Sequence, residues 1–519
     1  MTPQALIDGV RRIRTPVHIV REAPDGRIGL AFGGTVDPGG GDGRYVHLAT
    51  LPPLYPEWLG NRAFSEVHAT RFPYVGGAMA NGIASPDMVI ALARGGMLGF
   101  LGTAGLSLEE MAKYVDETRQ QLDGTGLSWG ANLIHSPQQP GLEMATVELF
   151  IERGVRRVSA SAFMNLTPAV VRYAATGLHR RPDGTVGRRH HLFAKISRPE
   201  VAAHFMRPAP DRLLAQLMES GHLSPEEAAL ATEIPVAEEL TVESDSGGHT
   251  DNRPLGALFS VIARLRDEIS AQYQYARPIQ LGAAGGIGTP DAVASAFSLG
   301  ADYVLTGSIN QSCREAAQSK AAKQMLVEAQ LSDVTMAPAG DMFEMGVEVQ
   351  VLKRGTLFAS RAKKLYEIYS RYDSIEAIPR AVRDKLEDQI FRADLEEIWD
   401  RTRAYFESAD PEQISRAKSD PKHRLALVCR WYLGLSSKWP LEGDDSRHLD
   451  YQIWMGPAQG AFNSWVRHSF LESLPNRGVV QVALNLLEGA AIITRAQQLR
   501  TYGAAVPTQA FDVTPRPLG

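Results

Sequence analysis

Two glycine turns, each at the end of a predicted strand, could hold a phosphate group. The first lies in Leu281–Pro290 (LGAAGGIGTP), which leads from a strand into a helix, and the second lies in Tyr303–Ser308 (YVLTGS). Backbone N–H groups at a helix N-terminus bind anions because they lack partners within the helix and face its positive dipole end. Two tight turns that merely contain glycine are the alternative. The residues of these turns that we predict to bind a cofactor are Gly285, Gly286, Gly307 and Ser308.

A histidine follows paired glycines after another predicted strand, in Glu243–Asp251 (ESDSGGHTD). Glycines let the backbone approach a planar ring, and a histidine titrates near neutral pH, so it can act as an acid or a base. A lone histidine is usually structural, but this one falls on a loop beside the predicted phosphate turns. We therefore predict a role for His249 in catalysis or substrate binding.

Three other segments end predicted strands with residues suited to a flavin. The amide of Asn132 could bind the pyrimidine edge of the ring, and the cation of Lys195 could stabilise negative charge near N1 of the reduced ring. Lys195 could instead extend to solvent. The small residues of Gly76–Gly82 (GGAMANG) would permit close approach of the ring, or would simply allow tight packing.

Basic residues gather at Arg180-Arg181 and at Arg188–His191 (RRHH). Such runs are most often solvated faces. The functional alternative is an anionic partner, either the acidic surface of a carrier protein or the phosphate of NADPH. Because the cluster precedes a strand, it could lie at the barrel end opposite the cofactor.

Short apolar runs alternate with amphipathic stretches from Tyr74 onward, which is typical of parallel βα units. We predict eight strands: Tyr74–Met79, Leu98–Leu101, Ser128–Ile134, Arg157–Ser161, His191–Ile196, Glu239–Glu243, Ile279–Ala283 and Tyr303–Thr306. Ser85-Pro86, Thr167-Pro168 and Thr289-Pro290 each place a capping hydroxyl before a proline, and Ser107–Glu110 and Ser224–Glu227 have the form of capping boxes. No dinucleotide-binding glycine fingerprint follows the first strand, so the pattern favours an α/β (β/α)8 barrel, or TIM barrel, over a doubly wound sheet.

Three regions flank or interrupt the predicted barrel. Residues 1–60 are predicted to form a small, irregular β-rich lobe with a glycine loop at Gly39–Gly43, and the predicted barrel spans residues 61–335. Residues 197–238 exceed a normal connection and predict an inserted helical lid with helices at Asp211–Ser220 and Pro225–Thr232. Residues 336–519 are predicted to form a mainly helical domain, with helices near His423–Leu435, Tyr451–Leu471 and Val479–Leu499.

Composition narrows the classes of function. The chain has 54 Lys and Arg against 59 Asp and Glu, so no overall charge favours nucleic acid or a membrane surface. Its two cysteines, Cys313 and Cys429, lie far apart and lack metal-ligand spacing, so we expect neither a disulfide nor a metal site. No signal peptide precedes the first elements, and charged residues or prolines interrupt the apolar stretches. We therefore expect a cytoplasmic protein.

The motifs DSGGH (Asp245–His249), GGI (Gly285–Ile287) and TGS (Thr306–Ser308) resemble those of the nitronate monooxygenase and FabK-type enoyl reductase superfamily. The finer resemblance is to its PfaD branch, the trans-acting enoyl reductases of polyunsaturated fatty acid synthases and trans-acyltransferase polyketide assembly lines. The segments that carry it are Leu51–Leu59, Gly77–Ser85, Asp245–Pro254 and Asp341–Gly355. The superfamily often has Glu-Ala-Gly-Gly-His where this chain has Asp-Ser-Gly-Gly-His.

This resemblance implies a TIM-barrel enzyme that binds FMN and takes hydride from NADPH or NADH. It implies that His249 is the active-site histidine and that Gly286, Gly307 and Ser308 contact the phosphate. The resemblance and the sequence patterns together predict that ten further residues bind the flavin: Gly77, Ala78, Met79, Ala80, Asn132, Lys195, Asp245, Ser246, Gly247 and Gly248. The expected reaction reduces the α,β double bond of an enoyl thioester borne by an acyl carrier protein, with His249 or a water ordered by it protonating the α-carbon.

Several alternatives stay open. Nitronate oxidation would use FMN and O₂ without NADPH. A docking subunit of a synthase could keep the barrel but lack catalysis. IMP dehydrogenases, which use a loop cysteine after strand six, are disfavoured because no cysteine lies there. The family also suggests a homodimer.

Overall fold

The computed structural model describes residues 2–23, 25–37, 43–136 and 140–519 of the 519-residue chain. Residues 39–42 of the predicted glycine loop lie outside these ranges. The strands are β1 (Val17–Glu22), β2 (Ile28–Ala31), β3 (Tyr45–Leu51), β4 (Tyr74–Gly76), β5 (Leu98–Leu101), β6 (Gly130–Ile134), β7 (Arg157–Ser161), β8 (His179–Arg180), β9 (Val186–Gly187), β10 (His191–Ile196), β11 (Glu239–Glu243), β12 (Gln280–Ala284), β13 (Tyr303–Thr306), β14 (Val334–Pro338) and β15 (Glu348–Leu352).

Helices connect and surround these strands. They are α1 (Pro3–Arg11), α2 (Arg62–His68), α3 (Pro86–Arg94), α4 (Leu108–Leu122), α5 (Pro140–Glu152), α6 (Pro168–Ala175), α7 (Pro199–Met206), α8 (Asp211–Glu219), α9 (Pro225–Leu230), α10 (Leu255–Tyr273), α11 (Pro290–Ser298), α12 (Lys320–Glu328), α13 (Phe358–Arg371), α14 (Arg380–Leu386), α15 (Leu395–Ala409), α16 (Pro411–Ser419), α17 (Pro421–Ser436), α18 (Trp439–Glu442), α19 (Pro457–Val466) and α20 (Val479–Thr501).

The chain divides into two units. The barrel unit comprises Met1–Ser244, Asn252–Ala316 and Ala461–Gly519, and the second unit comprises Asp245–Asp251 and Ala317–Gly460. This division differs from the predicted domains in two ways. The last part of the chain belongs with the barrel, and a short segment after strand β11 belongs with the second unit.

A closed parallel barrel of eight strands forms the centre of the first unit, in the order β10-β11-β12-β13-β4-β5-β6-β7. The predicted TIM barrel is confirmed, and five of its strands have the predicted bounds. Apolar and aromatic side chains fill its interior, and Phe64 of helix α2 stacks on Tyr303 of β13 with ring centroids 4.5 Å apart. Such a filled interior leaves only the rim loops to hold a ligand.

The predicted helix starts are present. Ser85, Thr167 and Thr289 cap α3, α6 and α11, each before a proline in the first turn. Ser107 with Glu110 and Ser224 with Glu227 form complete capping boxes. These caps set where each helix begins after its strand, and so they fix the length of each rim loop.

The N-terminal residues form a three-stranded antiparallel sheet, β2-β1-β3, rather than an irregular lobe. Its core is shared with helix α20, since Val10, Ile19 and Leu30 cluster with Ala496 and Leu499. Helix α20 also lies so close to α11 that a Cβ at Gly489 would come within 2.7 Å of Pro290. These contacts explain why residues 461–519 belong to the barrel unit.

Helix α20 is long and apolar enough to cross a membrane by length and composition alone, but 72% of its most apolar window is buried within the protein. It carries Glu488 and Arg495, both buried. Arg14 and Arg516 pair with Glu488, and Arg495 donates to the Pro52 carbonyl. The helix is therefore accounted for as a core element of the barrel unit.

The predicted insertion contains three helices, α7 to α9. Helix α7 packs on β10 and α10, and α8 and α9 pack on α6. The insertion thus adds to the helical ring, and these contacts give no support to the predicted role as a lid.

The second unit is mainly helical, as predicted, but it contains an unpredicted antiparallel hairpin of β14 and β15. The predicted helix at Tyr451–Leu471 is shorter than expected. It runs only over Pro457–Val466, because the proline starts it and a residue with positive φ, His468, follows its end. A buried cluster that runs from Ala322 to Met455 forms the core of this unit.

Candidate active site

Most predicted site residues of the barrel unit lie at or just beyond the carboxyl ends of its strands. Because all eight strands are parallel, these ends share one rim. Asn132 lies in β6 and Lys195 in β10, and the predicted phosphate turns follow β12 and β13. The structure therefore brings these groups to a single face of the barrel.

The turn after β12 holds two glycines with different roles. Gly285 has φ +87°, and a Cβ there would lie 2.5 Å from Ser244 Oγ, so the close approach of β11 demands glycine. Gly286 has φ +68°, and a Cβ there would meet nothing within 4 Å. The space in front of Gly286 is open, and helix α11 begins shortly beyond it, after the Thr289 cap.

The turn after β13 also has open space in front of a glycine. A Cβ at Gly307 would also meet nothing within 4 Å, and a 3-10 helix, Ser308–Ser312, starts directly after it. Buried Asn310 donates to the Thr306 carbonyl at 3.0 Å and fixes this turn. Two adjacent turns with exposed backbone and open space in front of a glycine are suited to one phosphate group.

The segment after β4 is held closely by its neighbours. Gly77 N donates to the Thr306 carbonyl at 2.9 Å, and a Cβ at Gly77 would lie 2.6 Å from Leu305. A Cβ at Gly102 would overlap the Met79 carbonyl at 1.7 Å. Packing thus accounts for Gly77, while Ala78, Ala80 and Asn81 are the partly exposed members of the segment.

Asn132 is buried and oriented by its neighbours. Ser161 Oγ donates to Asn132 Oδ1 at 2.7 Å, and Thr103 Oγ1 donates to its backbone carbonyl. Among the described residues no acceptor meets Asn132 Nδ2. With its oxygen engaged, the amide can offer N–H donors to a ligand that carries carbonyl or ring-nitrogen acceptors.

Lys195 pairs with Glu243 across neighbouring strands β10 and β11, with Nζ 2.8 Å from Oε1. Both side chains are mostly buried, at 16% and 20% exposure. The ion pair therefore holds the ammonium group at the rim and argues against the alternative in which Lys195 simply extends to solvent.

A histidine–carboxylate pair that the sequence did not indicate follows strand β6. His135 Nδ1 lies 3.0 Å from Glu143 Oε2, and the imidazole stacks on Phe163 with centroids 5.0 Å apart. Thr167 donates to the other oxygen of Glu143. His135 is the first residue after its strand, which is the signal that could have revealed it.

The predicted histidine segment lies in the second unit. Gly248 and Gln350 of β15 form an antiparallel bridge, with N···O distances of 3.0 and 2.8 Å, and Gln350 Nε2 donates to Asp245 Oδ1 at 2.9 Å. A Cβ at Gly247 would lie 2.9 Å from Met455 N. Asp245, Gly247 and Gly248 thus have structural partners within this unit, and their predicted cofactor contacts, with that of Ser246, stay predictions.

His249 itself faces a carboxylate of the same unit. Its Nε2 lies 3.3 Å from Asp341 Oδ1, and the side chains are 36% and 55% exposed. Partial burial acts to raise the pKa of Asp341, but the hydrogen bond and charge of His249, together with backbone hydrogen bonds at Asp341 and Met342, lower that pKa overall. Asp341 was not predicted as a site residue, because only the fold brings it to His249.

Two arginines of the predicted basic cluster have carboxylate partners. Arg180 forms a bidentate pair with Glu233 at 2.8 and 2.6 Å, and Arg188 is buried 3.3 Å from Glu238. Arg188 also donates to the Pro235 carbonyl. These contacts favour a structural role over the recognition of an anionic partner.

One buried group has the residue types of a metal site: His68, His191 and Glu239. His191 and Glu239 begin their strands, so the group lies at the end of the barrel opposite the phosphate turns. Arg157 Nε donates to His68, and Arg277 donates to Glu239. Two guanidinium groups against the cluster disfavour a bound cation. Cys313 and Cys429 are buried and form no disulfide.

Comparisons with known proteins identify relatives of both units. Residues 61–389 match the family described as nitronate monooxygenase. Residues 372–451 match a family described as acyl-carrier-protein S-malonyltransferase, inserted helical domain.

Two curated proteins and one solved structure cover most of the chain. A polyunsaturated fatty acid synthase subunit of Thraustochytrium sp. is 44% identical over 85% of this chain and 30% of its own length. Polyketide biosynthesis protein PksE of Bacillus subtilis is 43% identical over 86% of this chain and 58% of its own length. This chain therefore spans less than two thirds of either relative. The enoyl reductase domain of MlnA from the macrolactin cluster of Bacillus amyloliquefaciens matches with a TM-score of 0.82 and 36% identity, over 86% of this chain and 99% of that domain.

Proposed function

This chain belongs to the nitronate monooxygenase family, and we propose that it is an FMN-dependent enoyl reductase acting on carrier-bound 2-enoyl thioesters. The similarity to a solved enoyl reductase domain and to proteins of polyketide and polyunsaturated fatty acid biosynthesis supports the PfaD-type assignment. The observation that carries the proposal is the pair of glycine turns, Gly286 and Gly307, that open side by side at the barrel rim.

The residues at the rim fit FMN. Gly285, Gly286, Gly307 and Ser308 would hold its phosphate through backbone N–H groups and a hydroxyl. The donors of Asn132 would meet a ring carbonyl or nitrogen, and Gly77–Ala80 would line the ring. When bound, FMN supplies the hydride chemistry that side chains cannot.

Lys195 would stabilise negative charge on the cofactor or on the thioester oxygen as electrons move toward the substrate. Its pairing with Glu243 holds the cation in place before substrate binds, so little reorganisation is needed in the reaction. His249 would protonate the α-carbon of the thioester, either directly or through a water that it orders. Gly247 and Gly248 precede His249, and the positive φ of Gly248 (+85°) sets the path of the loop that carries the histidine.

The proposal extends to partners and location. Hydride would come from NADPH or NADH, and the substrate would arrive on an acyl carrier protein of a synthase, in the cytoplasm. A homodimer is the proposed oligomeric state, to be checked by light scattering.

A stepwise spectroscopic experiment tests this function. The purified protein should show the paired absorption bands of an oxidised flavin. NADPH should bleach them anaerobically, and an enoyl-pantetheine thioester should restore them with formation of the saturated thioester. A coloured protein whose bleached flavin ignores the thioester would exclude the reductase. A protein that takes up no FMN would instead indicate a docking subunit.

Variants separate the two candidate histidines, His249 and His135. His249→Asn should leave bleaching by NADPH intact and slow reoxidation by the thioester by about a hundredfold or more, the usual contribution of a general acid. If His135→Asn has that effect and His249→Asn does not, then His135 is the acid.

The phosphate site is tested by a matched pair of glycine variants. Gly286→Ala and Gly300→Ala each add a methyl group at positive φ, where nothing lies within 4 Å. Both substitutions strain the backbone, with φ +68° at Gly286 and +94° at Gly300, but only Gly286→Ala fills the proposed phosphate space. We expect its FMN dissociation constant to rise at least about tenfold, an effect of ~1.4 kcal/mol, while Gly300→Ala binds as the wild type does. Equal affinities would contradict the site.

Nitronate oxidation is the second candidate, because the matching family is described by that activity. Oxygen consumption with propionate 3-nitronate, in the absence of NADPH, distinguishes it from enoyl reduction.

A further inference from the structure

The histidine segment is fixed to the hairpin of the second unit at two points. Gly248 bridges to Gln350 of β15 through both backbone hydrogen bonds, and the Gln350 side chain donates to Asp245. The backbone on the N-terminal side of His249 is therefore held in a defined register. Within this unit, the position of the imidazole depends on what its ring nitrogens contact.

The same hairpin supplies that contact. Asp341 lies in the connection between β14 and β15, which is closed by a hydrogen bond of 2.8 Å from Ala339 N to the Val347 carbonyl. Its Oδ1 lies 3.3 Å from His249 Nε2. Strand β15 thus fixes the backbone next to His249, and the connection between β14 and β15 contacts the His249 side chain.

We propose that Asp341 is a positioning residue for His249: it accepts the hydrogen bond of Nε2–H, so that Nδ1 is the nitrogen that gives its proton to the substrate. This inference rests on the proposed function. In the step, the Nδ1–H bond breaks as a C–H bond forms at the α-carbon. The imidazolium becomes a neutral imidazole whose Nε2–H stays hydrogen bonded to the Asp341 carboxylate, and a solvent proton taken up at Nδ1 restores the imidazolium for the next cycle.

The geometry favours orientation over folding stability as the role of this pair. Both side chains are more than a third exposed, and ion pairs at that exposure contribute little to stability. A carboxylate against one nitrogen does, however, select one tautomer and favours the charged ring. Both effects are what a general acid requires.

Histidine titration tests the pair without any reaction. In protein labelled with ¹³C at the histidine ring, the signal missing from His249→Asn identifies His249. Asp341→Asn should lower the titration midpoint of that signal by about half a unit or more. Asp373→Asn, which removes an almost fully exposed carboxylate of the same unit, is the control and should not change it. An unchanged midpoint in Asp341→Asn would overturn the proposal.

The pH profile of flavin reoxidation by the thioester tests the role. Because the protonated ring is the donor, the rate should fall as pH rises through the midpoint of His249. In Asp341→Asn this fall should begin at lower pH, while the bleaching step with NADPH keeps its rate. Asp341→Glu should restore much of the profile. A uniform loss at all pH values in both variants would indicate a merely structural carboxylate and would refute positioning.

The two proposals fail in different ways. If wild-type reduced protein is not reoxidised by any thioester, the proposed function is wrong, and the role of Asp341 in it falls as well. If the thioester reoxidises the wild type but Asp341→Asn changes neither the titration nor the profile, the function stands and only the positioning role is refuted.

Discussion

At the residue scale, His68 closes the end of the barrel opposite the phosphate turns. The imidazole is fully buried, with Nε2 3.1 Å from Glu239 and Nδ1 accepting from Arg157 at 3.2 Å. This arrangement needs a neutral ring, because one nitrogen must accept. Burial accordingly lowers the pKa of His68 to about 4.

Acid should therefore destabilise the barrel in a defined pH window. The pKa of a histidine in an unfolded chain is about 6.5, whereas folded His68 stays neutral down to about pH 4. The contribution of the neutral ring is fully present above the unfolded pKa and is lost as pH falls toward the folded pKa. We expect a loss of up to about 3 kcal/mol between these values.

His68→Gln should flatten this dependence, since glutamine can donate and accept but does not titrate in that range. Its free energy of unfolding should be lower than that of the wild type at pH 7 and should change less on going to pH 5. Urea unfolding at the two pH values measures this, with exposed His47→Gln as the control. An equal pH dependence in wild type and His68→Gln would contradict the prediction.

At the scale of elements, strands β12 and β13 fit together through one glycine. A Cβ at Gly282 would lie 2.1 Å from the ring of Tyr303, which is fully buried and hydrogen bonded to Thr241 at 2.8 Å. The tyrosine thus occupies the space of the missing side chain. This pair fills the barrel interior beneath both phosphate turns.

Gly282→Ala should destabilise the protein by about 2 kcal/mol or more, because the barrel cannot accept the added methyl group without shifting the ring. The combined variant Gly282→Ala with Tyr303→Leu should recover part of the loss. Gly256→Ala, on helix α10 with nothing within 4 Å, is the control and should be neutral or stabilising. Thermal unfolding measures all three, and a neutral Gly282→Ala would refute the packing argument.

The elements of the barrel were predictable because their signals are local. Apolar runs such as Leu98–Leu101 and caps such as Thr289 depend on neighbouring residues, and the structure confirms both. The β14–β15 hairpin was missed because the pairing of its two strands, which only the folded chain shows, decides its form. The contact between His249 and Asp341 joins residues far apart in sequence, so spacing alone could not reveal it.

At the scale of the whole molecule, the end of the chain completes the barrel unit. Helix α20 packs on α11, α3 and α1, and its Gly489 lies against Pro290, the first residue of α11. Predicted boundaries put this helix in a separate domain because its sequence pattern shows a helix but not its partner.

Gly489→Leu should therefore impair FMN binding as well as stability. The added side chain would push α20 from α11, whose N-terminal turn follows the proposed phosphate site. We expect a weaker FMN affinity and a loss of about 1–3 kcal/mol, the usual cost of overpacking. Flavin fluorescence and thermal unfolding measure these effects. Gly434→Leu, on helix α17 with open space at its Cβ, is the control in the second unit.

The path of Asp245–Asp251 has a consequence for recombination between relatives. In sequence this short segment lies between two stretches of the barrel unit. Its contacts, however, are with Gln350, Asp341 and Met455 of the second unit. A chimera that exchanges only residues 317–460 would join a native histidine loop to a foreign hairpin. Functional hybrids should therefore require two crossover blocks, with the short one transplanted together with the long one.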